Sequence, residues 1–269
     1  MRKYAAVAAL LAAMSGVFGF ILRRSQLVRA FEPDTGLVVS GSPSTIAFML
    51  YIALVFAAAV LLSVFIRRSY TARRSFHEAY APTGAAYLAV AGVIAAALVF
   101  GGGSLAIRTQ SAQRLDFIAA VGTVLSGLCI FGLAMEQYRK RDFKASLLYA
   151  VIPELTFAFW MFITYRTYQT NPIRFYYAFR FIAPAAAAVA FYFQTAAVYG
   201  RPTPSRLVLS HVSAIFFLAV ACADAVDLER LIIFGALFVY FTVNLARALA
   251  NLEALSQSSA EASETPTEV

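Results

Sequence analysis

Lysine, histidine and cysteine are scarce in this chain, at three, two and two of 269 residues, and there is a single tryptophan. Each scarcity removes a class of chemistry. Lys3, Lys140 and Lys144 stand at the edges of apolar runs or between them, so none is placed to form a Schiff base with a retinal inside a span. His77-Glu78 opens like the helix of a zinc protease, but no second histidine follows at the spacing that helix needs. His211 is the other histidine and lies far along the chain, so no metal site is expected. Cys129 and Cys222 both fall inside apolar runs, which favours small buried side chains over a disulfide or a metal pair.

Charge is scarce as well. Only 13% of residues are Asp, Glu, Lys or Arg, where soluble domains carry about a quarter. The net charge of +8 could suggest nucleic acid, but the basic residues stand at the ends of apolar runs. That position is the one set by membrane topology and anionic headgroups. No nucleic-acid partner is expected. Catalytic signatures are missing too: there is no G-x-S-x-G elbow, and Gly101-Gly102-Gly103-Ser104 lacks the lysine of a phosphate-binding loop. The reading leans away from an enzyme and includes no cofactor. Inside a span, such glycines permit close helix packing or a kink.

What the chain does have is apolar length. Hydrophobic residues make up 61%, and mean hydropathy is +0.73. The apolar residues come in unbroken runs without the alternation of a membrane β-barrel. A helix needs about 20 such residues to cross the hydrocarbon core. The runs predict an all-α, polytopic membrane bundle of about eight spans, at 4–22, 46–66, 84–107, 117–135, 145–165, 181–200, 206–226 and 230–250. The first run continues into Arg23-Arg24 and is too long for an ordinary cleavable leader, so it is expected to be a retained span. Residues 1–250 form the membrane domain, and the polar, acidic stretch 251–269 is expected to be a disordered cytoplasmic tail.

With the amino terminus cytoplasmic, 13 Lys and Arg fall inside and nine outside. That bias predicts both termini in the cytoplasm and an inner or plasma membrane location. The connector Tyr165–Arg180 mixes aromatics with arginines. Arg166, Arg174, Arg180, Tyr176 and Tyr177 are its candidates for anchoring to lipid headgroups. Asp224 and Asp227, three residues apart, are expected to form a solvated helix end.

Polar groups within the membrane gather in the last four spans. Glu154 follows Pro153 near the middle of the fifth span, where the proline frees the Tyr149 carbonyl. A charged acid at that depth costs at least about 2.5 kcal/mol. It must therefore be either a neutral hydrogen-bond donor or the ligand of a cation or proton. Its candidate partners are Gln194, Tyr240 or a backbone carbonyl, while Gln194, His211 and Asn244 fall at similar depth in the inner third and Tyr240 shares a polar stripe with Asn244. These five are the candidate ligand- or proton-binding residues. The resulting expectation is a small-solute or cation- or proton-coupled transporter, or another ligand-binding membrane protein, with its site in the last four helices. The alternative is a non-catalytic scaffold, sensor or partner subunit of a larger complex. The expected partners are membrane lipids, a small solute or cation, and a membrane-protein partner.

Overall fold

The computed structural model describes residues 2–32, 34–69, 84–109, 114–139, 145–169, 174–199, 201, 203–225 and 227–264. The His77-Glu78 pair therefore lies outside the described residues, as do the side chains of Arg174, Tyr176 and everything beyond Asn251.

Eight helices form among the described residues: α1 (Arg2–Arg29), α2 (Pro43–Ser69), α3 (Ala85–Thr109), α4 (Arg114–Arg139), α5 (Ala145–Tyr168), α6 (Arg174–Val198), α7 (Pro204–Ala223) and α8 (Leu228–Glu264). The shortest, α7, has 20 residues, about 30 Å at 1.5 Å per residue, which is the thickness of a hydrocarbon core. All eight are long and apolar enough to span a membrane. The protein is an integral, multi-pass helical membrane protein in contact with lipid.

Burial sorts the helices. In α7, 72% of the membrane window is buried, against 11% in α2. The centre of the bundle is accordingly α7, packed by α6, α1, α8 and α2. It begins after Thr203 with Pro204 at the first helical position, where a missing N–H costs nothing. Proline also stands inside α5 (Pro153) and α6 (Pro184). Both prolines are buried in the bundle, where neighbouring helices can meet the freed carbonyls.

Close approach depends on glycine at a few points. A Cβ on Gly16 would lie 2.9 Å from the Ala219 Cβ, and one on Gly19 would lie 2.8 Å from the Phe216 ring. These two positions seat α1 along α7. The α1–α2 connector is a small hairpin with Phe31 bridged to Val38 and Gly36 at φ 65°. We call the side of the bundle that carries this connector the hairpin face, and the side that carries the amino terminus the opposite face.

The eighth membrane span ends at Asn251, close to the expected 250, and α8 continues helically beyond it to Glu264, because Leu, Ala and Glu beyond Asn251 are strong helix formers that extend a helix already nucleated. One expectation is corrected. Arg23 is not a flanking residue after the first span. It lies within the α1 span and is fully buried. Setting aside both buried arginines, Arg23 and Arg247, leaves 12 basic residues on the side expected to be cytoplasmic against eight on the other.

Candidate functional site

Four of the five intramembrane candidates are buried in the half of the bundle toward the opposite face. Gln194 Nε2 donates to the Tyr240 hydroxyl at 2.7 Å. Asn244 Nδ2 donates to the Tyr240 carbonyl at 2.9 Å. Asn244 Oδ1 accepts from Arg247 Nη2 at 2.9 Å and from the Tyr87 hydroxyl at 3.3 Å. Arg247 Nη1 reaches Gln137 Oε1 at 2.9 Å, and the guanidinium lies 3.9 Å above the Tyr87 ring. This arrangement spreads one intramembrane charge over two amides and an aromatic face. Tyr87 and Gln137 come from α3 and α4, so the network is wider than the last four helices. His211 bonds through Nδ1 to the Leu207 carbonyl at 2.9 Å and meets the Phe241 ring edge-on. Its Nε2 and Gln194 Oε1 are buried and have no hydrogen-bond partner among the described residues.

Glu154 does not join them. It is half-buried on α5 and, among the described residues, has no hydrogen bond or ion pair. The expected meeting of Glu154 with Gln194 or Tyr240 is absent from the described contacts, because those two side chains bond to each other.

A second constellation lies at the hairpin face, and sequence reasoning missed its core. Asp224, expected to be solvated, is buried. It accepts from Arg23 Nε at 2.8 Å and Arg23 Nη2 at 3.3 Å, and both side chains are 0% exposed. Arg23 also donates to Gln26 Oε1 at 2.7 Å, and Gln26 bonds Thr45 at 3.1 Å. Phe31 from the hairpin and Phe179 from α6 cover the guanidinium at 5.5 and 4.7 Å. Asp224 caps the carboxyl end of α7 and Arg230 stands in the first turn of α8. Each charge thus runs against the dipole of its own helix. Such placement is the signal in the sequence that could have marked both residues as something other than helix-end charges.

Between these helix ends opens a cleft of about 190 Å³. Its charged lining is Asp116 from α4, Arg180 from α6, and Asp224 and Arg230 at the α7–α8 turn, with Thr164, Thr167 and Tyr168 on the α5 wall. Arg180, expected to be a lipid anchor, is a wall of this cleft. Its Nη1 reaches the Tyr168 hydroxyl at 3.4 Å, and its guanidinium lies over Tyr177, which stacks on Tyr168 at 4.0 Å. Arg166 remains exposed on the surface, as a headgroup anchor requires. At the rim, Arg108 bonds Asp227 at 2.9 Å. That bond, with the charges of Arg230 and Arg108 behind it, holds the Asp227 carboxyl below the usual carboxylate range. Its share of the α3 contact therefore persists as pH falls to that range and is lost only below it.

The floor of the cleft is aromatic. Trp160 and Phe234 line it and lie 5.7 Å apart. Trp160 stacks on Phe157, Phe157 on Phe191, and Phe191 on Tyr240, at 5.8, 5.8 and 5.6 Å. One continuous ladder of rings thus separates the cleft from the buried polar network.

No known family matches this chain. Nor is any curated protein or solved structure significantly similar to it. Among the described residues, no group of His, Cys, Asp and Glu is arranged to hold a metal ion.

Proposed function

We propose that the protein is a carrier or receptor for a small polar solute and that its site is the hairpin-face cleft. One observation carries this reading: a concavity lined by Arg180, Arg230 and Asp116 ends on the Trp160–Phe234 floor. Convergent polar groups above an apolar base are the usual form of a ligand site. At about 190 Å³ the cleft is smaller than the roughly 300–1,000 Å³ of sites for drug-sized ligands, which selects a small molecule. The aromatic ladder beneath it would close the path to the opposite face, as alternating access requires of a carrier loaded from one side. With both termini cytoplasmic, as the Lys and Arg bias supports, the cleft opens outward.

The site thus lies at the α5–α8 ends with Asp116 added from α4, and not at Glu154 or the Gln194–Asn244 network. The network's side chains bond to one another and carry the burial of Arg247, which supports a structural role. The test is a thermal-shift screen of small polar solutes on the full chain in a neutral detergent. At least one solute should raise the melting temperature, and Arg230→Gln should weaken it at least tenfold, about 1.4 kcal/mol. Solutes that bind the variant as tightly as the parent would remove the cleft as the site. A screen in which nothing binds would remove the function.

A further inference from the structure

Resting on that reading of the cleft, the geometry points to a zwitterion as the solute: a small molecule with an anionic group and an amine a few bonds apart. Some of the lining charges are already satisfied within the protein. Asp224 is taken up by Arg23 through two hydrogen bonds. Asp227, at the rim, is held by Arg108 at 2.9 Å, with Arg230 Nη1 farther off at 3.6 Å. Two lining groups keep unused capacity. Asp116 has no hydrogen bond or ion pair among the described residues. Arg230 has its Nε buried with no hydrogen-bond partner among them.

Asp116 alone would be unremarkable, since an acid in the first turn of a helix offsets the dipole. Arg230 has no such excuse, because a cation in the first turn of α8 opposes the dipole there. A buried guanidinium N–H without an acceptor also costs free energy until something bonds it. A ligand anion bonded at Arg230, with the Arg180 charge near by, meets both requirements. A plain carboxylate or phosphate would meet the arginines but leave Asp116 without a counter-charge. A plain amine would face two arginines. A neutral polar solute would hydrogen-bond both groups without balancing either charge, which gives the weaker bonds. A zwitterion places its anion on Arg230 and its ammonium on Asp116, so that each charge of the solute meets one of the opposite sign. This assignment also accounts for the mixed sign of the lining, which a site for a simple anion would lack.

The test compares matched probes on the full chain in neutral detergent, read by thermal shift and titration. The probes are ω-amino acids from glycine to 6-aminohexanoate, each beside the carboxylate and the alkylamine of equal length. At least one amino acid should bind at least tenfold more tightly than both of its single-charge analogues. Asp116→Asn should bring its affinity down to that of the carboxylate, and Arg230→Gln down to that of the amine. Arg180→Gln, with the same direction as Arg230→Gln, serves if the Arg230 variant does not fold. If carboxylates bind as tightly as amino acids and are lost with Arg230→Gln, the cleft is a solute site but the zwitterion assignment is wrong. If no probe binds while other solutes from the screen do so in an Arg230-dependent way, the assignment is again overturned and the solute reading stands. Binding that is unchanged in every cleft variant would overturn both.

Discussion

Asp224→Asn and Arg23→Leu each destabilise the protein by about 3–5 kcal/mol, because each leaves a buried partner without its counter-charge. Both side chains are completely buried, and their bonds tie the α7–α8 turn to α1. Gln26 and Thr45 extend that tie to the start of α2. Removing Asp224 leaves the buried Arg23 guanidinium without this carboxylate, while Gln26 and the Phe31 and Phe179 rings still face it. Replacing both members with apolar residues of similar size, Arg23→Met with Asp224→Leu, should restore much of the loss, since the desolvation of the pair is relieved together with its attraction. Melting temperature and detergent-extracted yield read all three variants. A double variant no better than the worse single one would show that the pair is more than a stabilising contact. In that case its place behind the cleft wall would have to be read as part of solute binding.

The second large effect lies between α3 and α4. Gly102→Val and Gly127→Val each cost about 1–3 kcal/mol, the usual range for forcing volume into a packed interface. A Cβ at Gly102 would lie 2.9 Å from the Ala120 carbonyl and 3.1 Å from Thr123 Cβ. One at Gly127 would lie 2.9 Å from the Ala95 carbonyl and 3.1 Å from Leu98 Cβ. The nearest obstacle in each case is a backbone carbonyl, and the next a Cβ fixed to the backbone, neither of which can swing away as a side-chain tip can. Made together, the two changes should cost less than their sum, because separating the helices once relieves both clashes. Gly103 is the control. Nothing lies within 4 Å of its Cβ position, so Gly103→Ala should stabilise α3 by roughly 0.5–1 kcal/mol through helix propensity alone. Equal losses at all three glycines would mean that the run acts as a hinge in α3 and not as a contact surface.

The bundle was legible because span number depends on length and hydropathy, which are local properties. Depth was legible only in part: of Gln194, His211 and Asn244, expected at similar depth, the first bonds the Tyr240 hydroxyl and the last the Tyr240 carbonyl, while His211 bonds Leu207 on its own helix. Pairing across the bundle was not. Arg23 and Asp224 are 201 residues apart, and each stands near the end of an apolar run, where a charge ordinarily meets water. Only the fold shows that the hairpin and α6 close over them. Glu154 misled for the opposite reason. Its place beside Pro153 is conspicuous along the chain, but the neighbouring helices turn their amide and phenol groups to each other. Arg180 reads as a headgroup anchor from its aromatic neighbours, and the same rings instead hold it against the cleft wall.

The proposed site requires a solvent-accessible cleft at the hairpin face, closed beneath by aromatic rings from the buried polar network. Single cysteines placed in a Cys129→Ala, Cys222→Ala background and challenged with a membrane-impermeant maleimide test it most directly. Thr167→Cys, on the α5 wall of the cleft, should react from one side of the membrane and be protected by a solute that binds. Asn244→Cys, at a position buried with 0% exposure, should stay unreactive from both sides. Labelling of Asn244→Cys with Thr167→Cys inert would contradict the account and return the site to the buried network.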